Sequence, residues 1–194
     1  MKRISLTEAA HQIVRQHLQL GELAIDATLG NGYDTVFLAQ CVGGEGHVFG
    51  FDIQRQALDN TRQRLHLYAM EQRCTLFLGC HSVMQLHLPE AVNGNIKAIM
   101  FNLGYLPGSD KALITQSETT LTALNTGCGL LAKGGVITLL AYPGHAGGDL
   151  ECRQIRAWGR QLDRKQFQFE VIISRQHQAK APLLFVIRRP NDLL

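Results

Sequence analysis

Acidic residues and glycines follow two predicted strands, at positions where a ligand could reach them. Asp26 comes at the end of the first strand, and a turn with glycines at Gly30 and Gly32 follows it. Asp52 ends the second strand, twenty residues after Gly32. Glycines allow a tight turn and a close approach of a ligand to the backbone, and a carboxylate at Asp52 can accept hydrogen bonds from both hydroxyls of a ribose. The spacing therefore predicts a nucleoside site.

The residues around the glycine turn indicate which nucleoside is bound. A dinucleotide fingerprint has a third glycine or alanine where this chain has Thr35. Asp34 lies at the predicted helix start, where the pyrophosphate of NAD would need N–H groups and no competing anion. Asp26 and Asp34 suit a ligand with an ammonium group and a positive sulfonium, so the chemistry favours S-adenosylmethionine over NAD. The residues expected to bind this cofactor are Asp26, Thr28, Gly30, Asn31, Gly32, Asp34, Thr35, Asp52, Ile53, Gln54, His81, Ser82 and Asn102.

His81 and Ser82, two residues of this set, follow the third predicted strand. In the predicted fold the adenine ring lies at the end of this strand. Either residue could contact the adenine or the tail of the cofactor, and a structural turn is the alternative. The remaining histidines, including His11 and His66, are interpreted as solvated helix residues.

The segment Asn102-Leu-Gly-Tyr105 follows the fourth predicted strand, where amino-directed methyltransferases have an Asn-Pro-Pro-Tyr motif. The side-chain carbonyl of Asn102 and a backbone carbonyl could hold the hydrogens of an amine and aim its lone pair at the methyl carbon. The ring of Tyr105 could stack on a base. Leu103 and Gly104 replace the two prolines, and the alternative is an asparagine that ends a strand and a tyrosine that packs. We interpret Asn102 and Tyr105 as catalytic residues.

A histidine follows the fifth predicted strand, in the glycine-rich segment Tyr142-Pro-Gly-His145. Its imidazole titrates near neutral pH and could take a proton from the substrate amine, which must be neutral to attack. The same histidine could instead cap a helix or contact a phosphate of the substrate. We predict that His145 belongs to the substrate site, and its role as the base stays open.

Strand and helix patterns alternate along the chain and must position these side chains. The predicted strands are 23–28, 47–52, 75–78, 96–101, 136–140, 167–173 and 183–188. Capping boxes at 5–8 and 115–118 each open a helix. Residues 133–135 are predicted to end the second of these helices. Strands separated by helices imply a mostly parallel sheet covered on both faces, and the last two strands form an antiparallel edge hairpin. The predicted fold is a seven-stranded α/β, Rossmann-like domain.

The composition is that of a soluble globular protein. Hydrophobic residues make up 45% of the 194 residues and charged residues 18%, so the whole chain is interpreted as one domain, 1–194. The chain has no apolar stretch long enough to span a bilayer and no signal peptide, so we expect a cytoplasmic protein with no membrane partner. Its five cysteines form no Cys-x-x-Cys pair, and no clustered ligands predict a metal.

Four motifs, in this order and spacing, resemble those of the class I methyltransferases of the YtqB and MnmM type. They read DATLGNGYDT, FDIQ, FNLGYLPGSDK and YPGHAGG. The resemblance runs from the first helix to the last strand and implies S-adenosylmethionine as the cofactor. It also implies methylation of the amino group of 5-aminomethyl-2-thiouridine in the tRNA anticodon, which gives 5-methylaminomethyl-2-thiouridine. Thr28 stands where the general methyltransferase pattern has its first glycine, and its hydroxyl can still serve the polar end of the ligand.

Other substrates and other classes of function stay open. The DATLG motif also resembles the family that methylates cytosine N4 in small-subunit rRNA, although that family carries a large inserted domain. An rRNA or a small-molecule amine is the alternative substrate, and a catalytically inactive RNA-binding module and an NAD-dependent oxidoreductase are further alternatives.

The expected partner is the anticodon loop of tRNA, whose bases can leave the stack. The net charge of +3 permits such a partner without requiring it. Arg153, Arg156, Arg160 and Arg164 share one face of a helix predicted from about 149 to 165, and this face is either solvated or follows an RNA backbone. A homodimer would widen the contact surface.

Overall fold

One sheet of seven strands forms the centre of the protein in a computed structural model. The structure describes residues 4–104, 116–144, 147–173 and 181–191. The strands are β1 (Leu23–Asp26), β2 (His47–Asp52), β3 (Cys74–Leu78), β4 (Ile96–Asn102), β5 (Leu131–Ala141), β6 (Gln168–Ile173) and β7 (Leu183–Arg188). Their order across the sheet is β3-β2-β1-β4-β5-β7-β6. The first five strands are parallel, and β7 is antiparallel to both of its neighbours.

The carboxyl ends of the central strands form the functional edge of this sheet. Strand β1 has β2 on one side and β4 on the other, so the chain crosses over in opposite directions from β1. Open α/β sheets bind ligands at such a switch point. Asp26, Asp52 and Asn102 end these three strands, and parallel pairing therefore brings them to one edge.

Helices cover both faces of the sheet. They are α1 (Leu6–His17), α2 (Tyr33–Val42), α3 (Arg55–Leu67), α4 (Ser117–Leu130) and α5 (Gly148–Gln161), with short 3₁₀ helices at Glu71–Arg73, His81–Leu86 and Glu90–Val92. Successive residues of a strand point to opposite faces, and the core divides accordingly. Ala24 belongs to the apolar cluster under α1 and α2, whereas Ile25 belongs to the cluster under α4 and α5. Among the described helices, none is long and apolar enough to cross a membrane.

The predicted fold class is confirmed, including the antiparallel pair β6–β7 at one edge. The first capping residue is also confirmed, because the Ser5 hydroxyl accepts the backbone N–H of Glu8 at 3.1 Å. Such a cap satisfies one of the N–H groups that the first turn of a helix leaves unpaired.

Three predicted boundaries are wrong. Helix α4 begins one residue later than its predicted cap implies, with Gln116 at the N-cap position, and Thr115 lies outside the described residues. Residues 133–135 do not follow a helix directly but belong to β5, where the pairing with β4 shifts register and Gly134 takes a positive φ of 73°. Helix α5 ends at Gln161, so Arg164 lies beyond it and does not continue the arginine face.

Candidate active site

A cavity of about 870 Å³ lies at the carboxyl ends of β1, β2 and β4. Its volume is within the range of small-molecule and cofactor sites. The apolar side chains of Leu29, Phe51 and Leu103 contribute to its wall. Nine of the residues predicted to bind the cofactor line it, namely Thr28, Gly30, Asn31, Asp34, Asp52, Ile53, Gln54, His81 and Asn102.

The carboxylate of Asp52 is held in place by backbone N–H groups. Gly30 donates to Oδ2 at 3.1 Å, and Gln54 donates to Oδ1 at 2.9 Å. Burial raises the pKa of Asp52, and the hydrogen bonds from Gln54 and Gly30 oppose that rise. A carboxylate has about four lone-pair positions, so each oxygen can still accept a ligand hydroxyl.

Asp26 lies behind the wall of the cavity and is almost completely buried. Its Oδ2 accepts the hydroxyl of Thr35 at 2.6 Å, and its Oδ1 accepts the backbone N–H of Thr28 at 3.1 Å. Burial, followed by the nearby charge of Asp34, raises the pKa of Asp26 to about 7. This residue therefore fixes the shape of the turn, and its direct contact with the cofactor stays a prediction.

Because the pKa of Asp26 is raised, the free energy of unfolding of the ligand-free protein depends on pH. The folded state keeps a proton that the unfolded chain releases, so the free energy of unfolding falls as pH rises from about 4 to about 7. Asparagine cannot ionise, so we expect Asp26→Asn to stabilise the ligand-free protein at pH 8 by on the order of 2–4 kcal/mol. Thermal unfolding at pH 5 and pH 8 measures this, and the gain is expected to be larger at pH 8.

Asp163 provides a control for the sign of this effect. It is exposed, and hydrogen bonds from the Lys165 backbone and the Gln166 side chain lower its pKa. Asp163→Asn is therefore expected to give no gain in stability at pH 8. An Asp26→Asn protein that unfolds more easily than wild type at pH 8 would contradict the burial argument.

The other three predicted residues outside the cavity wall make structural contacts instead. Gly32 has a positive φ of 78°, and a side chain there would lie 2.8 Å from the backbone of Thr61 in α3. The close approach seen in the structure is therefore that of helix α3. Thr35 is buried against Asp26, and the Ser82 hydroxyl donates to the sulfur of Cys80 at 3.1 Å. None of these three lines the cavity.

A hydrogen bond joins the glycine turn to the end of β4. The backbone N–H of Asn102 donates to the hydroxyl oxygen of Thr28 at 2.7 Å. A glycine at position 28 could not make this bond, so the threonine fixes the strand end that carries the Asn102 side chain. Asn102 itself is exposed at the cavity.

Helix α3 braces the glycine turn from outside. Asn60 donates its side-chain N–H to the side-chain oxygen of Asn31 at 2.9 Å, and Arg64 donates to the backbone carbonyl of Asn31 at 2.7 Å. The Arg64 guanidinium also lies 3.6 Å from the centre of the Tyr33 ring, in a cation–π contact. Tyr33 lines the cavity, and its position at the start of α2 is fixed by this contact.

A family model described as "Putative rRNA methylase" matches residues 48–188 of the chain. The chain belongs to this family. A chloroplastic protein of Arabidopsis thaliana, named tRNA (mnm(5)s(2)U34)-methyltransferase, is 38% identical over 201 residues. The alignment covers 97% of this chain and 71% of that relative.

Solved structures support the same assignment. A "putative rRNA-methylase" from Clostridium thermocellum is 35% identical, with a TM-score of 0.90 and coverage of 97% of this chain and 99% of that chain. A "putative methyltransferase" from Streptococcus mutans, solved in complex with SAH, is 33% identical, with a TM-score of 0.85 and the same coverage. The protein is a class I methyltransferase that uses S-adenosylmethionine, as the motifs predicted.

The side chains of the cavity fit this cofactor. Asp52 offers acceptors for ribose hydroxyls, and Asp34 offers a carboxylate for an ammonium group. His81 donates from Nδ1 to the carbonyl of Ala27 at 3.2 Å, and burial lowers its pKa, so the neutral ring leaves Nε2 as an acceptor. Nε2 has no partner among the described residues and is buried in the wall. The ring of His81 borders the cavity and packs edge-on against Phe101, with the ring centres 5.7 Å apart.

One interpretation of the sequence is wrong at His11. This residue is not a solvated helix residue, because its Nε2 donates to Oδ1 of Asp34 at 2.7 Å and its side chain is 20% exposed. His11 shares one stripe of the helix with Thr7, Val14 and Leu18, which indicates that it faces the protein but does not identify its partner. Thr7 lines the cavity, so α1 contributes to the wall of the candidate active site.

Two predicted catalytic residues, Tyr105 and His145, lie outside the described residues. Tyr142, which precedes His145, lines the cavity, and burial followed by the charge of Asp34 raises the pKa of its hydroxyl. Sequence reasoning did not select Tyr142 as a site residue, although it follows β5 directly.

Proposed function

We propose that this methyltransferase acts on the amino group of 5-aminomethyl-2-thiouridine at the wobble position of tRNA and forms 5-methylaminomethyl-2-thiouridine. The observation that carries this proposal is the similarity to the tRNA methyltransferase of Arabidopsis thaliana over 97% of this chain and 71% of that relative. The anticodon loop suits a protein of this size, because its bases can be splayed out and offered to a cavity.

The geometry at the end of β4 supports an amine as the acceptor. When bound, S-adenosylmethionine supplies an electrophilic methyl group on a sulfonium. The side-chain carbonyl of Asn102 can accept a hydrogen bond from an amine and so orient the lone pair, and the Thr28 hydroxyl fixes the backbone of Asn102. Positioning of this kind is the main contribution an enzyme can make to an in-line displacement.

The proton released from the amine needs an acceptor. Tyr105 and His145 stay predicted residues of the substrate site, and we propose them as the groups that stack on the base and assist proton removal. On the described part of α5, Arg153 and Arg160 are exposed, and Arg156 is partly exposed. We propose that they contact the RNA backbone, an interaction that salt would weaken.

Nucleoside mass spectrometry tests the substrate. Purified protein with S-adenosylmethionine is expected to convert the aminomethyl nucleoside into its methylaminomethyl form in tRNA from cells that lack this methylation. In cells without the gene, the aminomethyl precursor should accumulate in place of the methylated nucleoside.

Matched substrates separate this proposal from its alternative. An unmodified wobble uridine has no aminomethyl group, so tRNA that carries it should not react. The family description favours rRNA as the second candidate, so ribosomal subunits are tested in parallel. Methylation of rRNA with unchanged tRNA would replace the proposal with that alternative.

The remaining expectations concern the state of the protein in the cell. We propose that residues 1–194 act as one domain, since all seven strands belong to one sheet. A homodimer and a cytoplasmic location stay predictions.

A further inference from the structure

His11 of helix α1 makes two specific contacts with the helix that follows the glycine turn. The Nε2 atom of His11 donates to Oδ1 of Asp34 at 2.7 Å. The imidazole also stacks on Phe37, with ring centres 3.8 Å apart and planes 5° apart. Asp34 and Phe37 both belong to α2, so one side chain of α1 is fixed in position and orientation by one helix.

The partner of His11 is an acidic residue of the cofactor cavity. Asp34 lines the cavity and lies in the first turn of α2, where the helix dipole favours a negative charge. Asp26 is a second carboxylate close enough to be affected by the charge of Asp34. A carboxylate in such a cluster needs a fixed orientation if it is to face a ligand and not its neighbour.

We propose that His11 is a positioning residue of the cofactor site, which holds Asp34 so that its carboxylate accepts the ammonium group of the methionine moiety. With Oδ1 bonded to His11, Oδ2 is the oxygen available to this ammonium. Helix α1 is then part of the cofactor site, although it precedes the first strand. The proposal concerns cofactor binding and is independent of the identity of the RNA substrate.

His11 does not act on the substrate directly. It is not among the residues that line the cavity, its Nε2 is directed at Asp34, and its ring faces Phe37. A structural role, in which His11 only docks α1 onto the protein, is the competing explanation.

A second histidine of α1 provides a matched control. His17 is also partly buried, and its Nδ1 donates to the carbonyl of Gly134 in β5 at 2.8 Å. It lines a different cavity, of about 380 Å³, together with Lys97 and Arg188. The two histidines therefore dock the same helix, but only His11 contacts a residue of the cofactor cavity.

Calorimetric titration with two ligands distinguishes positioning from docking. S-adenosylhomocysteine has the ammonium group, whereas 5′-methylthioadenosine has the same nucleoside without the amino acid. His11→Phe keeps a ring against Phe37 and loses the hydrogen bond. It is expected to raise the Kd of S-adenosylhomocysteine about tenfold and to leave that of 5′-methylthioadenosine within about twofold. His17→Phe should leave both values within about twofold.

A double-mutant cycle tests whether His11 acts through Asp34. Asp34→Asn alone should weaken S-adenosylhomocysteine binding, and adding His11→Phe should have no further effect. His11→Gln, whose amide can donate to Asp34, should recover part of the affinity and gives a second variant if His11→Phe does not fold. Equal losses for both ligands, an equal loss in His17→Phe, or additive losses in the cycle would each overturn the proposal.

Discussion

Replacement of Asn102 by alanine is expected to lower kcat about 100- to 1000-fold. Asn102 is also a predicted cofactor contact, so the Kd of the cofactor should rise, but by no more than about tenfold. The side chain lies at the cavity at the end of β4, where its carbonyl can orient an amine. The hydrogen bond that fixes this strand end uses the backbone N–H of Asn102, which alanine keeps. Single-turnover kinetics with tRNA, together with calorimetric titration of the cofactor, measure the two quantities separately.

Thr28→Val is the control for the geometry of the strand end. Valine has the shape of threonine but cannot accept the N–H of Asn102. The variant therefore keeps the Asn102 side chain but loses the hydrogen bond that restrains its backbone. We expect a loss in kcat of about tenfold, smaller than that of Asn102→Ala. If Asn102→Ala retains kcat within tenfold of wild type, Asn102 only ends the strand, and the amine is held by other residues.

The placement of Asp52 could be predicted because it depends on chain order and strand direction alone. Once two parallel strands are recognised, a residue at the carboxyl end of one must lie near the turn after the other. The 3.1 Å bond from Gly30 to Asp52 is the direct result. The same rule placed Asn102 at the cavity, because β4 pairs with β1 in parallel.

The predicted cofactor residues that do not line the cavity contact neighbouring elements of the fold. Gly32 was assigned to the ligand because a glycine turn permits close approach, but the approaching group is Thr61 of α3. Thr35 was assigned to the cofactor from its position in the motif, whereas its hydroxyl bonds to Asp26. Sequence pattern identifies a turn that needs glycine, but not the neighbour that packs against it.

Helix α1 shows the same limit of sequence patterns, here for a residue that the sequence did not assign to the site. Its amphipathic pattern predicted a helix that packs on the sheet, and the buried residues Ile13 and Val14 agree. The partner of His11 could not be predicted, because nothing in the local sequence specifies that α1 lies beside the start of α2. The carboxylates that we expect to hold the cofactor therefore have supports that only the tertiary structure reveals.

Asp52→Ala is expected to raise the Kd of S-adenosylhomocysteine by about 100-fold. The carboxylate is fixed by the N–H groups of Gly30 and Gln54, and we propose that it accepts both ribose hydroxyls. Two hydrogen bonds to a charged acceptor contribute roughly 1.5 kcal/mol each, which together correspond to a factor of about 100 or more. Calorimetric titration measures the change. Asp59→Ala, at a half-exposed position of α3 where the carboxylate pairs only with Arg62 among the described ion pairs, should leave the Kd within about twofold.

A ligand that lacks one ribose hydroxyl tests whether the loss of affinity in Asp52→Ala comes from the ribose contact. Wild type should bind S-adenosylhomocysteine about tenfold more tightly than its 2′-deoxy analogue, because one hydrogen bond to Asp52 is missing. Asp52→Ala cannot accept either hydroxyl and should bind both ligands equally. If the variant still prefers the ribose form by tenfold, another group recognises the 2′-hydroxyl, and Asp52 supports the turn at Gly30 without holding the ribose.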